Sequence, residues 1–318
     1  MLGIAGARHI LRLEGYRWIA PLSAFYPDAI QTVDLSTWNT AFPRSSIVAT
    51  RKSGNTSRLF PDYLALRPTT SGGSYDWAVA EAKGTSMSLT SAASCPSEWS
   101  TQVRNVTVTV NGTELEIPRH VVIATRVNPN AKRARARRLQ VRAWNRTVNT
   151  KASLSSEAAV DIAAAHLFGF FRGAYLRENA MAIAFSVHMR AASRQGKLSA
   201  DIKTDAQRAA DLAEEEISER SGRLRNQGNV PGSTIVELDT ESGPIRIELA
   251  EPLIALSRRL RQSETIDSAA AALHDADLRL NAWEKSREPV KKERGIAVLP
   301  FGAEVHFPHG FDPRDQRR

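Results

Sequence analysis

The chain of 318 residues contains a single cysteine, Cys95, and lacks any uninterrupted apolar run long enough to span a membrane. One cysteine excludes an intrachain disulfide and a cysteine-rich zinc module. A bilayer span needs about 18–20 apolar residues, whereas the nearest candidate run is broken by Asp161 and His166. These absences predict a reduced, cytoplasmic protein with no membrane partner.

Several catalytic signatures are also missing. The sequence has no Gly-x-x-x-x-Gly-Lys-Ser/Thr phosphate loop, no Gly-x-Ser-x-Gly elbow, no Gly-x-Gly-x-x-Gly and no His-Glu-x-x-His. An ATPase of the phosphate-loop type, a serine hydrolase, a dinucleotide enzyme and a zinc protease are therefore not supported. If the activity requires a motor or a trigger, we expect a partner protein to supply it.

Acidic residues are fewer than basic ones, with 34 Asp and Glu against 43 Lys and Arg and a net charge of +9. Such an excess favours a polyanionic partner such as DNA. The positive charge is concentrated in residues 119–146, which contain no Asp or Glu. We expect this segment to contact nucleic-acid phosphates, and the alternative is a solvated basic loop. The candidate nucleic-acid-binding residues are Arg126, Lys132, Arg133, Arg135, Arg137, Arg138 and Arg142.

The pattern of apolar residues changes along the chain and predicts an α/β protein in three regions. Residues 1–152 read as short strands joined by turns, including a hairpin at Asn111-Gly112, whose residues suit positive φ angles. Residues 153–228 read as helices, and residues 229–318 as an α+β C-terminal region. Acidic residues dominate 205–219. We interpret them as a solvated helix face, or alternatively as a docking surface that would allow a homo-oligomer.

One constellation in the first region has the residue types of a metal-dependent site. Asp62 opens one apolar strand, and Glu81 and Lys83 lie in a second, with a Gly-Gly turn between the two strands. Residues two apart on a strand share a face, so Glu81 and Lys83 project together, and a hairpin would bring Asp62 beside them. Carboxylate oxygens suit Mg²⁺. The alternative is a surface pair on an edge strand, with Asp62 as a strand-start cap.

Pro61-Asp62 followed by Glu81-Ala82-Lys83 resembles the motif of the PD-(D/E)XK nuclease superfamily. The resemblance implies a restriction-endonuclease-like core with a central mixed sheet, here followed by a helical and α+β C-terminal half. It also implies that Asp62, Glu81 and the Ala82 carbonyl hold Mg²⁺, for which Mn²⁺ would substitute, and that Lys83 is the catalytic lysine.

The same resemblance suggests two accessory residues. Many members carry an acidic residue on the first core helix, for which Glu14 is the candidate. Some members carry a glutamine on the helix after the third strand, for which Gln102 is the candidate, although its segment is short for a helix.

These features together predict a metal-dependent DNA endonuclease that hydrolyses phosphodiester bonds, in bacterial restriction or antiphage defence. The first alternative is a non-catalytic nucleic-acid-binding or assembly subunit of a larger complex. The second is a helical interaction protein that acts through its alanine-rich and glutamate-rich segments. His306 and His309 could form a metal pair, but with no third ligand near them in the sequence they read as packed or surface histidines.

Overall fold

The computed structural model describes residues 2–27, 45–52, 60–69, 74–85, 89, 94–127, 139–148, 153–224, 234–238, 243–287, 296–299 and 301–306. Two compact units are present: the described residues up to 166 form the first, and those from 167 onward form the second. The chain is a mixed α/β protein with a central mixed sheet and helices.

The first unit contains the central sheet. Its elements are α1 (Leu2–Leu13), β1 (Trp18–Pro21), a 3-10 turn (Leu22–Phe25), β2 (Ile47–Thr50), β3 (Tyr63–Pro68), β4 (Tyr75–Gly84), α2 (Ser97–Val103), β5 (Thr107–Val110), β6 (Thr113–Leu115), β7 (Arg119–Val127), β8 (Leu139–Thr147) and the start of α3 (Ser156–Gly173). Five strands form a sheet in the order β1-β3-β4-β7-β8. Only the β4–β7 pair is parallel.

A second, smaller sheet joins β2, β5 and β6. The predicted turn between β5 and β6 is confirmed, since Asn111 and Gly112 have φ angles of 50° and 82°. Positive φ at both positions is what a two-residue primed turn requires.

Helix α1 packs on one face of the central sheet. Its Ala7 and Leu11 are buried in a cluster with Ala78 and Ala80 of β4 and Val121 of β7. The small alanine side chains on β4 let the helix approach the sheet closely. Residues of β4 with the opposite parity, including Glu81 and Lys83, therefore lie on the other face.

The boundary between the units falls inside α3, whereas we expected it between residues 152 and 153. The first half of the helix is fixed to the first unit by two buried polar side chains. The carboxylate of Asp161 accepts from the backbone amide and the hydroxyl of Ser46, at 2.7 and 2.6 Å. His166 Nδ1 lies 3.0 Å from the Ile19 amide, and burial lowers the pKa of His166 to about 3.

The second unit combines the two C-terminal regions that we expected to be separate. Its elements are α4 (Arg177–Arg194), α5 (Ala200–Leu224), β9 (Thr234–Leu238), β10 (Ile245–Leu249), α6 (Glu251–Gln262), α7 (Ile266–Ser286), β11 (Ile296–Leu299) and β12 (Ala303–His306). The strands form an antiparallel sheet in the order β11-β12-β10-β9. None of the described helices combines the length and the apolar character that crossing a bilayer would demand.

The close approach of α1 to β7 generates a stability prediction. A Cβ atom added at Gly6 would overlap Thr125 Oγ1 and lie 3.2 Å from Thr125 Cβ, and Thr125 is buried. We expect Gly6→Ala to lower the free energy of unfolding by about 1–3 kcal/mol, because overpacking outweighs the gain in helix propensity.

The matched control is Gly169→Ala in α3, where an added Cβ meets nothing within 4 Å. This variant should be as stable as the wild type or up to about 1 kcal/mol more stable. Urea denaturation of both variants measures the difference, and equal stabilities for the two variants would contradict the proposed packing.

Candidate active site

The antiparallel register of β3 and β4 brings Asp62 beside Glu81. Tyr63 pairs with Ala80, so the same register places Asp62, one residue before β3, opposite Glu81. The Asp62 amide donates to the Ala80 carbonyl at 3.0 Å, and the Asp62 carboxylate accepts from the Ala82 amide at 2.7 Å. The Asp62 carboxylate thus lies over β4, on the face that carries Glu81.

Lys83 lies on the same face and pairs with Glu81. Its ammonium group is 2.7 Å from Glu81 Oε1 and also donates to the side-chain carbonyl of Gln102 on α2. The Gln102 amide group donates to the Phe60 carbonyl at 2.8 Å. Gln102 therefore connects Lys83 to the backbone just before Asp62. The short segment 97–103, which we doubted as a helix, is helical and supplies this contact.

The electrostatic environment of Glu81 is unusual for a carboxyl group. Glu81 is 2% exposed. Burial raises its pKa, Lys83 opposes the rise and the nearby Asp62 carboxylate adds to it, and the resulting pKa is about 7. Glu81 Oε2 is buried and accepts no hydrogen bond from the described residues. Two adjacent carboxylates with an unsatisfied oxygen favour binding of a proton or a cation, which fits a divalent metal ion.

Ala82 is placed so that its carbonyl could contribute a further oxygen ligand. Its amide points toward Asp62, as the hydrogen bond shows. In an extended strand the amide and carbonyl of one residue point to the same side. The Ala82 carbonyl therefore faces the side of β4 on which Asp62 lies.

Glu14, the accessory candidate on the first helix, does not join this cluster. It follows the C-terminal end of α1, and its backbone carbonyl accepts from Arg67 at 2.9 Å. Arg67 pairs with Asp76 at the opposite end of the β3–β4 hairpin, five residues from Asp62. At about 3.3 Å per residue the separation along the strand is about 16 Å. Helix α1 ends beside Arg67, at the end of the hairpin away from Asp62, so Glu14 does not reach the cluster.

Two of the predicted nucleic-acid-binding residues lie in the described part of the chain. Lys83, Ala124 and Arg142 are in register across β4, β7 and β8, so Arg142 shares the face of the candidate site. Its guanidinium donates to the Leu89 carbonyl at 2.8 Å and lies 5.5 Å from the centre of the Trp144 ring. Arg126 is half-buried on β7. Lys132, Arg133, Arg135, Arg137 and Arg138 lie outside the described residues.

The sequence did not indicate an aromatic pair beside the carboxylates. The ring centres of Tyr26 and Phe60 are 4.8 Å apart, and the Arg51 guanidinium lies 5.6 Å from the Phe60 ring centre. Burial, together with the charges of Asp62 and Glu81, raises the pKa of Tyr26. Phe60 directly precedes the Pro61-Asp62 motif, and that position is the only sequence signal that could have drawn attention to the pair.

The second unit holds a separate group of possible metal ligands that includes His306, for which we expected no further ligand nearby beyond His309. Glu248 and Glu304 face each other on β10 and β12, and ligand atoms of both residues and His306 lie within 4.8 Å of one another. Arg287 lies 2.6 Å from Glu304 and 3.7 Å from Glu248. Arg287 thus reaches both carboxylates of this group, whereas Lys83 pairs with Glu81 and forms no ion pair with Asp62 among the described residues. The Asp62–Glu81 pair is therefore the better metal site.

Comparison with protein-family models, curated proteins and solved structures finds no match for this chain.

The pKa of Glu81 predicts a pH dependence of stability in the absence of metal. The folded state retains the Glu81 proton up to about pH 7, whereas the unfolded chain releases it near the ordinary carboxyl pKa of 4.5. The folded state then binds more protons between these values, so the free energy of unfolding falls as pH rises through this window. The Glu81 contribution lost is about 3 kcal/mol.

Urea denaturation of the wild type and of Glu81→Gln across this window measures the effect. The variant keeps a neutral side chain and lacks this contribution, while all other titrating groups are common to both proteins. As pH rises through this window, the free energy of unfolding of the wild type should therefore fall relative to that of Glu81→Gln. An unchanged difference would mean that Glu81 does not retain a proton in the folded state.

Proposed function

We propose that the chain is a Mg²⁺-dependent endonuclease that hydrolyses phosphodiester bonds of DNA, with a restriction-endonuclease-like core. The observation that carries the proposal is the convergence of Asp62, Glu81 and Lys83 on one face of the central sheet. Two carboxylates can hold a divalent ion and an ammonium group can stabilise phosphate charge, and together these groups can support metal-assisted phosphodiester hydrolysis.

The contact between Gln102 and Lys83 supports the same proposal. β1, β3 and β4 are the first three strands of the five-stranded sheet, and α2 is the helix that follows them. Gln102 on α2 donates to the Phe60 carbonyl and accepts from Lys83. A glutamine at this place in the order of elements is the feature that some members of the PD-(D/E)XK superfamily carry.

Each side chain has a distinct role in the proposed reaction. When bound, Mg²⁺ supplies a water molecule of lowered pKa and neutralises phosphate charge. Asp62 and Glu81 hold the ion, and Glu81 does so once it has lost its proton. The Lys83 ammonium stabilises the negative charge that develops on the phosphate. Gln102 fixes the direction of Lys83 and acts as a positioning residue.

The energetic cost of the site favours an enzyme over a non-catalytic subunit. A carboxylate that is 2% exposed destabilises the folded state unless it is protonated or paired. A protein that only binds nucleic acid gains nothing from a buried carboxylate beside the partly buried carboxylate of Asp62. The complete set of Asp62, Glu81 and Lys83 is therefore better explained by catalysis.

The direct test is plasmid cleavage in Mg²⁺ by the wild type and by Lys83→Ala. We expect the variant to lose on the order of 10²–10³-fold in cleavage rate, because it loses a charge that acts in the transition state. DNA binding measured without metal should be nearly unchanged.

The matched control is Lys203→Ala, which removes an ammonium group paired with Glu264 in the second unit. It should cleave at the wild-type rate. Cleavage by Lys83→Ala at the wild-type rate would disprove the site, and absence of cleavage by the wild type in both Mg²⁺ and Mn²⁺ would disprove the nuclease function.

The positioning role of Gln102 predicts that its variants lose less cleavage activity than Lys83→Ala. A conservative substitution at Gln102 should lose less than alanine. We expect Gln102→Ala to lower kcat about 10-fold, the lower end of the effect of removing a partner of a catalytic side chain, with little change in KM. Gln102→Glu keeps an acceptor for Lys83 and should retain more of the activity. Single-turnover cleavage measures both variants, and equal losses would argue that Gln102 only supports α2.

A further inference from the structure

Three positive side chains converge around His120, the second residue of β7. His120 pairs with Arg146 on β8 and with Val79 on β4. Burial, together with the charges of Arg104, Arg146 and Lys52, lowers the pKa of His120 to about 4. The imidazole at the centre of this group is therefore neutral at physiological pH. We call Lys52, Arg104 and Arg146 the cation cluster.

The members of the cation cluster come from three separate elements. Arg104 directly follows α2, and its guanidinium bonds back to the Ser100 carbonyl at 2.8 Å. Lys52 follows β2, in which Thr50 pairs with Thr107 of β5. This pair, the last of the register, lies two residues before Lys52 and three residues after Arg104. The fold, and not a charged stretch of sequence, brings these side chains together.

No carboxylate neutralises the cation cluster within the residues that the structure describes. None of its three members forms an ion pair there, although other exposed arginines do, such as Arg246 with Glu237. All three side chains are exposed. Like charges held together raise the free energy of the folded state, and an anion bound among them removes this cost. The arrangement thus favours binding of an anion.

The cation cluster lies close to the candidate active site on the same face of the sheet. Val79, the partner of His120, is two residues before Glu81 on β4. Two residues correspond to about 7 Å along the strand, and the neighbouring strand is about 4.8 Å away. Residues of the same parity on β4 share a face, as do partners in register, so His120, Arg146 and Glu81 face the same side. The separation is within reach of one nucleic-acid strand.

We propose that Lys52, Arg104 and Arg146 form a phosphate-binding site that holds the nucleic-acid backbone a few nucleotides from the bond cut at Asp62, Glu81 and Lys83. The site reads no sequence, since phosphate contacts fix position and register only. This inference rests on the proposed nuclease function for its ligand, but not for the geometry of the cluster.

The test compares the affinity of the full chain for a short DNA duplex at several salt concentrations, without divalent metal. Each phosphate contact contributes about 0.9 to the slope of log affinity against log salt concentration. The triple variant Lys52→Ala, Arg104→Ala, Arg146→Ala should therefore have a slope smaller by up to about 2.7. Between about 50 and 200 mM salt the wild type should lose on the order of 40-fold more affinity than the variant.

The matched control removes three exposed charges from the second unit, by Arg172→Ala, Arg177→Ala and Lys197→Ala. It changes the net charge by the same amount and should keep the wild-type slope. Circular dichroism of both triple variants confirms that they are folded. Equal slopes for the two triple variants, or a wild-type slope for the cation-cluster variant, would overturn the inference.

Plasmid cleavage by the wild type in Mg²⁺ separates this inference from the proposed function. If the wild type cleaves and the cation-cluster variant keeps the wild-type slope, the phosphate site is wrong and the nuclease function stands. If the wild type does not cleave but the variant has the smaller slope, the phosphate site stands and the nuclease function is wrong.

Discussion

The pairing of β3 with β4 is the constraint on which the candidate site depends. Asp62 reaches Glu81 only because Tyr63 is held opposite Ala80. A shift of one residue would turn Glu81 and Lys83 toward α1, into the alanine-lined core, where neither charge could be accommodated. The burial of Ala78, Ala80 and Val121 against α1 therefore fixes the register, and the register fixes the site. Side chains alternate between the two faces along β3 and β4, and this alternation produces both the apolar face and the charged face of the sheet.

Local patterns predicted the parts of the molecule that short-range geometry controls. The strands around Asp62 and Glu81, the Asn111-Gly112 turn and the shared face of Glu81 and Lys83 follow from alternation and turn chemistry. Gln102 was identified by position in a family pattern, and its contact with Lys83 depends on how α2 packs on the sheet. β1 was missed because its four residues, flanked by Gly15 and the 3-10 turn, are too few to show a period.

Features that depend on tertiary pairing could not be predicted from the sequence. The end of the first unit within α3 depends on the buried bonds of Asp161 and His166 to residues more than a hundred positions earlier. The cation cluster has the same origin, since Lys52 and Arg146 meet only through the sheet registers. The basic segment 119–146 was the conspicuous charge pattern, yet of these three cations only Arg146 belongs to it. Charge density along a sequence and charge density in space are different quantities.

The hairpin that carries Asp62 and Glu81 also has a consequence for how the protein folds. β3 and β4 are joined by a short connection and pair locally, whereas α2, β5 and β6 separate the parallel strands β4 and β7 along the chain. Local contacts close with a smaller loss of chain entropy than distant ones, so the hairpin is the part of the sheet expected to form early. The two carboxylates then approach each other before α2 delivers Gln102 to Lys83. Their mutual repulsion opposes that early step at neutral pH and is relieved in mild acid, so we expect the hairpin to form more readily in mild acid.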